Sequence, residues 1–319
     1  MAKMLVGTSS WTDPSLIASG KFYPDSAKSP EARLRYYASQ FGLVEVDSTY
    51  YSLPAQNASS LWAERTPADF VFDIKAFRLF TQHPTPVKVL PKDIRQNLSV
   101  ELKDKTNLYL KELPAEIVGE LYHRFEQALV PLRMAGKLGA IFLQFPPWVG
   151  IGAEQRDYIL SLKERLKDYH LAIEFRNGTW LSEKNRERTL DFLRQNGLSF
   201  VCVDEPQGFR SSVPPVAEVT SLLAVVRFHG RNRDTWEKRG ITASERFDYL
   251  YSDKELEEWI PKIEHLETGT EQVHVLFNNC HDNKAVVNAK QMSELLQGEN
   301  VSGWRAELGE IFLLKKDFS

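Results

Sequence analysis

Hydrophobic and polar positions alternate along eight short segments of the chain, and longer segments with a helical pattern separate most of them. Period-two alternation over a few residues predicts a strand whose successive side chains point to opposite faces. The eight predicted strands are residues 4–10, 43–51, 70–77, 138–146, 170–176, 198–204, 222–230 and 272–279.

The intervening segments carry apolar positions three or four residues apart, which predicts amphipathic helices. These helices are expected over residues 29–42, 56–65, 115–136, 153–168, 182–197, 252–266 and 283–297. The connection 205–221 is too rich in Pro and Gly for a long helix, so an irregular crossover is expected there.

Eight strands alternating with helices predict a single (β/α)8 TIM-type barrel with a parallel eight-stranded sheet, occupying residues 1–319 as one domain. An open, doubly wound sheet is the alternative. Two connections are long, 78–114 after the third strand and 231–251 after the seventh. In a barrel both lie at the C-terminal mouth, where loops carry function, so we expect them to cover it.

One face of the predicted strands is polar. In "VVRFHGRN", residues 225–232, the basic Arg227 and His229 share a face opposite Val226 and Phe228. Because the apolar face suits the helix layer, the polar face is expected to point into the barrel. It carries Glu45, Asp47, Asp73, Lys75, Gln144, Glu174, Arg176, Asp204, Arg227, His229 and Asn278.

Polar groups from seven strands at one mouth predict either a ligand site or a structural network of ion pairs. The candidate acid–base residues are Glu174, Asp204, His229 and Glu45. Residues expected to bind an anionic substrate are Lys75, Arg176, Arg227 and Arg231, with Asn278, Gln144, Trp11 and Tyr50 as further polar or stacking contacts.

Composition excludes several classes of protein. The 319 residues are 42% hydrophobic and 26% charged, with a net charge of −3, so no global positive field attracts nucleic acid or an anionic membrane. Two cysteines without a Cys-x-x-Cys motif argue against a disulfide framework. No signal peptide or membrane-spanning run is evident, so we expect a cytoplasmic protein without membrane partners.

The sequence contains no cofactor-binding fingerprint, and no cofactor is expected. A single weakly bound divalent ion could be held by Glu45, Glu174 and Asp204, and His281 could reach the mouth from the loop after the eighth strand. Lys75, Arg176 and Arg227 would lie among those carboxylates, so cations of the protein could satisfy them instead.

Several motifs together resemble one family. The segments "GTSSWTDPSLI", "VEVDSTYYSLP", "WAERTPADFVFDIKAFRLFT", "LQFPP", "IEFRNGTW", "VRFHGRN" and "FNN" occur in the order seen in the YecE-like family (domain of unknown function 72), from about residue 5 to about residue 297. The resemblance implies a TIM-type barrel of the kind that also hosts apurinic endonucleases and sugar isomerases. It implies no particular activity.

Two classes of function follow. The first is an enzyme, a hydrolase or isomerase, that acts on a phosphate-containing substrate such as a sugar phosphate or nucleic acid by general acid–base chemistry. The second is a nucleic-acid-binding protein without chemistry, which would use the same basic residues for phosphates and aromatic residues for bases. Paired carboxylates also fit glycoside hydrolysis. The sequence indicates no oligomeric state.

Overall fold

A computed structural model describes residues 2–55 and 57–297. Eight parallel strands form a closed barrel in which each strand pairs with its neighbours in the chain and β1 pairs with β8. They are β1 (Lys3–Thr8), β2 (Leu43–Val46), β3 (Val71–Lys75), β4 (Leu138–Gln144), β5 (His170–Glu174), β6 (Ser199–Asp204), β7 (Leu223–Phe228) and β8 (Gln272–Phe277).

Helices surround the barrel and fill its connections. They are α1 (Pro14–Ser19), α2 (Pro30–Gln40), α3 (Ser48–Tyr51), α4 (Ala58–Glu64), α5 (Lys92–Gln96), α6 (Val100–Lys103), α7 (Ala115–Met134), α8 (Ala153–Arg165), α9 (Arg186–Gln195), α10 (Ala243–Arg246), α11 (Asp253–Glu257), α12 (Ile260–Thr268) and α13 (Lys284–Gln297). The predicted barrel is confirmed. No described helix is long and apolar enough to cross a membrane.

Two predicted elements differ from the structure. The second strand ends at Val46 and α3 follows. At this turn the single hydroxyl proton of Thr49 is shared between the carbonyls of Val46 and Lys75 (2.8 and 2.5 Å). The helix predicted over 252–266 is divided into α11 and α12. Pro261 has no N–H for the preceding turn, so it is accommodated in the first turn of α12.

The connections behave as their composition indicates. Residues 205–222, between β6 and β7, contain no helix or strand, as predicted from their Pro and Gly content. The long connection 78–114 folds into 3₁₀ turns, α5, α6 and a two-stranded antiparallel ribbon (Thr85–Pro86 with Asn107–Leu108). It leaves from the C-terminal end of β3 and contributes His83 to the barrel mouth. The connection 231–251 contributes α10 to the same mouth.

In most strands the apolar side chains point outward to the helices and the polar side chains point into the barrel, as predicted. Phe228 points outward, where its ring stacks on Phe277 (4.6 Å between centroids) and meets the edge of Trp259 at 5.3 Å. Arg227, the next residue back, points into the barrel and is fully buried. The barrel interior therefore contains charge, and each charge needs a partner there.

Strands β1 and β2 approach each other closely at Gly7. A Cβ atom at this position would lie 2.0 Å from the carbonyl oxygen of Leu43. Because that atom belongs to the backbone of a paired strand, the barrel would have to shift. We expect Gly7→Ala to lower the free energy of unfolding by roughly 2–4 kcal/mol in urea denaturation.

Gly119 provides the matched control, because it lies inside α7 with nothing within 4 Å of its would-be Cβ. Gly119→Ala should be neutral or stabilise by up to about 1 kcal/mol. Equal stability of the Gly7→Ala protein and the wild type would contradict the close approach of β1 and β2.

Candidate functional site

A buried network of three charges occupies the barrel interior. Arg227 on β7 binds both oxygens of Glu45 on β2, with Nε to Oε2 at 3.0 Å and Nη2 to Oε1 at 2.9 Å. Its Nη1 donates to Glu174 on β5. All three side chains are fully buried. We call Glu45, Arg227 and Glu174 the buried ion network.

Further polar groups complete this network. The Ser9 hydroxyl donates to Glu45 at 2.7 Å, and the Gln144 amide donates to Glu174. Burial alone would raise the pKa of Glu174, but Arg227, His229 and Arg176 together outweigh this effect and hold the pKa well below its usual value. Glu174 is therefore ionised at neutral pH.

His229 lies beside Glu174 as a neutral ring. Its Nε2 donates to Glu174 at 3.2 Å, and Asn278 donates to its Nδ1 at 2.9 Å, which fixes the tautomer. Burial lowers the pKa of His229 to about 3. His229 and Asn278 thus lie together at the mouth, as the alternation predicts.

Arg176 lies above this network, with long contacts to two carboxylates. Its Nη1 lies 3.3 Å from Glu174, and its Nε lies 3.7 Å from Glu205. Its guanidinium also lies 4.5 Å from the ring centre of Trp236. Burial raises the pKa of Glu205 to about 8, so this carboxyl is largely protonated at neutral pH and only partly balances Arg176.

A cavity of about 240 Å³ opens above the buried ion network at the C-terminal mouth. We call it the mouth cavity. Strand ends and both long connections contribute its polar lining, which includes Asp13, Asp47, Tyr50, Lys75, His83, Gln144, Arg176, Arg246 and Asn278. The predicted convergence of Lys75, Arg176, Gln144, Asn278 and Tyr50 is observed. A second cleft of about 530 Å³, lined by His281, shares Asp13 and Asp47 with it.

Two titratable groups of the mouth cavity have pKa values displaced by burial. The pKa of Asp47 is raised to about 7, so this carboxyl is half protonated near neutral pH. The pKa of His83 is lowered to about 3 by burial and by the nearby Lys75, so its ring is neutral. His83 packs edge-on against Tyr50 at 5.2 Å.

Arg246 and His83 were missed by the sequence analysis. Arg246 donates to the backbone carbonyls of Thr235, Trp236 and Lys238 and forms no ion pair with any described carboxylate. Burial and the charge of Arg176 lower its pKa, and both guanidinium groups belong to residues that line the mouth cavity. Both missed residues belong to the long connections, where no alternation marks a side chain as inward-facing.

The predicted inward position of Asp204 is wrong. Val203 is in register with Arg227 and shares its inward direction, so Asp204 points outward. There it accepts hydrogen bonds from Tyr251 (2.8 Å), from Trp259 (2.7 Å) and from Arg231 (2.7 Å). Arg231 is therefore also outside the mouth cavity. Glu205, which directly follows β6, is the acidic residue that faces Arg176.

Two further positions need correction. Trp11 does not line the mouth cavity, because its ring packs edge-on against Trp62 and Phe72 in the helix layer (5.8 and 6.3 Å). Arg227 does lie inside the barrel, but both carboxylates of the network occupy its guanidinium, and it does not line the cavity. A substrate in the mouth cavity would lie above Arg227.

The three carboxylates named as an alternative site for a weakly bound divalent ion do not lie together. Arg227 lies between Glu45 and Glu174, and Asp204 lies on the other side of the strands. Within residues 2–55 and 57–297, no group of three or more His, Cys, Asp or Glu side chains could hold a metal ion.

The fold and the site together define a (β/α)8 barrel protein with a polar cavity at its C-terminal mouth. The family model described as protein of unknown function DUF72 matches residues 5–308, and the chain belongs to that family. This confirms the resemblance of its motifs.

Individual relatives agree over nearly the whole length. The chain is 32% identical to the UPF0759 protein YunF of Bacillus subtilis over 298 residues, which cover 92% of this chain and 95% of YunF. Crystal structures of DUF72 family proteins are similar as well. One from Thermotoga maritima has 30% identity and a TM-score of 0.72, covering 92% and 99% of the two chains. One from Enterococcus faecalis has 26% identity and a TM-score of 0.70, covering 93% and 98%.

Arg227 holds two buried carboxylates, so its removal should be costly. We expect Arg227→Met to lower the free energy of unfolding by roughly 3–5 kcal/mol, because Glu45 and Glu174 would lose their shared counter-ion. Urea denaturation at neutral pH measures this loss.

The control is the triple variant Arg227→Met, Glu45→Gln, Glu174→Gln, which removes the uncompensated charges together with their partner. It should be more stable than Arg227→Met alone. An Arg227→Met protein as stable as the wild type would show that the three charges are not coupled.

Proposed function

We propose that this protein is an enzyme that binds a small anionic substrate, such as a sugar phosphate, in the mouth cavity and acts on it by general acid–base chemistry. The observation that carries the proposal is the position of Asp47. Its carboxyl, with a pKa near 7, lines the same cavity as two arginines whose charges are incompletely neutralised.

Arg176 and Arg246 support the choice of an anion. The contacts of Arg176 with carboxylates are long, and Arg246 is bound only to carbonyl oxygens among the described residues. Guanidinium groups are the preferred partners of phosphate and carboxylate because they offer several donors in one plane. The buried ion network neutralises Arg227 separately, so Arg227 contributes little to this surplus.

Asp47 supports the acid–base chemistry. A group whose pKa lies near the working pH can both donate and accept a proton during turnover, and such groups contribute roughly 10²–10⁴-fold in rate. Glu45 and Glu174, although predicted as acid–base residues, are bound to Arg227, and in this proposal they position it. His229 stays neutral and holds Glu174 in place.

The volume of the site favours a small molecule over a polymer. The mouth cavity of about 240 Å³ accommodates a group the size of a phosphorylated sugar fragment, and the adjoining cleft extends it. Binding of nucleic acid without chemistry would need a larger set of unpaired cations along a groove. The net charge of −3 does not favour that alternative.

The arginines of the mouth cavity should control anion affinity. We expect Arg176→Ala and Arg246→Ala each to weaken sulfate binding, measured by calorimetry, by roughly 1–3 kcal/mol, because each removes a charge-assisted hydrogen bond.

Arg194→Ala is the matched control, because it removes the same charge from the exposed face of α9, where Arg194 contacts Asp191 and Glu218. Its sulfate affinity should equal that of the wild type. Equal loss in all three variants would indicate a general effect of charge, and tight binding of a short oligonucleotide without sulfate binding would favour the alternative function.

Asp47 should control both turnover and the pH dependence of binding. As the pH rises from 6 to 8 the Asp47 carboxyl ionises, so sulfate, whose own charge stays constant, should bind more weakly to the wild type. Asp47→Asn should reduce this dependence and lower turnover by roughly 100-fold. Calorimetry at both pH values, and NMR assays of sugar phosphates and phosphate esters, measure the two effects.

Turnover of a substrate at the wild-type rate by Asp47→Asn would contradict the acid–base role. An unchanged sulfate affinity between pH 6 and 8 in the wild type would contradict the position of Asp47 beside the bound anion.

A further inference from the structure

Lys75 extends from the end of β3 into the mouth cavity. Its Nζ lies 4.8 Å from the ring centre of Tyr50. Among the described residues, no carboxylate lies within 4 Å of this nitrogen, and no side chain or carbonyl accepts a hydrogen bond from it. The side chain is half-buried, so the ammonium is stabilised here by the Tyr50 ring and by more distant charges rather than by a direct ion pair.

The charged groups around Lys75 come from several strands. Arg227 faces it from β7, Glu45 from β2 and Glu174 from β5, and Asp47 lies after β2. Burial and the positive charge of Arg227 together lower the pKa of Lys75, although the three carboxylates oppose this. Glu45 and Glu174 are engaged with Arg227, so they stabilise the ammonium less than unpaired carboxylates would. A neutral, nucleophilic amine is therefore more accessible here than on a solvated lysine.

We propose that Lys75 is a nucleophile that forms a protonated imine with the carbonyl carbon of an anionic aldehyde or ketone held in the mouth cavity. The inference rests on the proposed function and specifies its substrate class: the anion must also carry a carbonyl group. Arg176 and Arg246 bind the anionic group, and Lys75 and Asp47 line the cavity in which the carbonyl would lie.

The reaction is balanced by groups already in the cavity. The Lys75 nitrogen attacks the carbonyl carbon, the C=O double bond opens, and one amine proton passes to the oxygen to give a carbinolamine. The C–O bond then breaks, and the hydroxyl leaves as water with a proton from the Asp47 carboxyl. The nitrogen keeps one hydrogen in the protonated imine, and Asp47 becomes a carboxylate. The pKa of Asp47, near 7, suits this donation and the reverse step.

Lysine as a simple binder of phosphate is the competing role for the same side chain. In that role the ammonium stays protonated and forms no covalent bond. Reductive trapping separates the two roles, because cyanoborohydride reduces an imine to a stable secondary amine and leaves an ammonium unchanged.

The full-length protein is incubated at neutral pH with cyanoborohydride and, separately, pyruvate, glyceraldehyde 3-phosphate or ribose 5-phosphate, and the modified lysines are located by peptide mass spectrometry. Glyceraldehyde serves as the uncharged control. We expect at least one anionic compound to modify Lys75 at least about tenfold faster than the exposed Lys184. Glyceraldehyde should show no such preference, and sulfate should compete with the anionic compound.

Lys75→Gln should remove the fast modification, and an unchanged far-UV circular-dichroism spectrum should show that the variant is folded. Equal modification of Lys75 and Lys184 by every compound, with sulfate binding intact in the wild type, would overturn the imine and leave the anion site standing. Absence of both modification and sulfate binding in the wild type would overturn the imine and the proposed function together.

Discussion

The barrel interior depends on the two ionic contacts that Arg227 makes with Glu45 and Glu174. The three residues come from β7, β2 and β5, so these contacts join opposite sides of the barrel. Removing one member would leave buried charge without a partner, which costs far more than the net stabilisation of the intact network. The interior is thereby constrained to one arrangement of its polar side chains.

This arrangement separates two kinds of charge at the mouth. Within the buried ion network one guanidinium is bound by two carboxylates, and Arg176, His229 and Gln144 contact the remaining oxygen of Glu174. The groups one layer above are less completely matched. Asp47 is half protonated near neutral pH, and Lys75 has no hydrogen-bond partner in the described part of the chain. Acid–base and nucleophilic sites require groups with incompletely neutralised charge, held in place by a buried network of hydrogen bonds and ion pairs.

On the outer side of β6, a buried carboxylate with hydrogen bonds and an ion pair has a structural role only. Asp204 accepts hydrogen bonds from Tyr251 and Trp259 and pairs with Arg231, so its charge is fully used in attaching the β7–α12 connection to the strand. These three partners leave Asp204 no direct contact with the mouth cavity. Asp204, the acidic residue predicted to act in the site, therefore has a structural role, while the neighbouring Glu205 faces Arg176.

The sequence was sufficient to predict the barrel, its strands and most of the inward-facing residues, because helix and strand periodicities depend on local order. Strand β7 was interpreted correctly because Arg227 and His229 alternate with clearly apolar residues. Strand β6 was not, because Val201, Cys202 and Val203 are all apolar and carry no signal for the direction of Asp204. Asp204 and Glu205 are consecutive acidic residues, so alternation alone does not decide which of the two points into the barrel.

The remaining errors concern long-range contacts. Arg246 and His83 come from connections whose path over the mouth is set by tertiary packing, so no local pattern places them beside Arg176. Trp11 follows β1 closely, but its ring packs with Trp62 of α4 rather than with the strand ends. The pKa of Asp47 likewise depends on burial by residues that are distant in sequence.

The most direct test of the account is a crystal structure of the protein grown with sulfate. The account predicts a sulfate ion in the mouth cavity within hydrogen-bond distance of Arg176 and Arg246, with Arg227 still bound to both Glu45 and Glu174 below it. A sulfate ion bound to Arg227 in place of those carboxylates, or sulfate found only outside the mouth cavity, would contradict the separation of the buried ion network from the anion site.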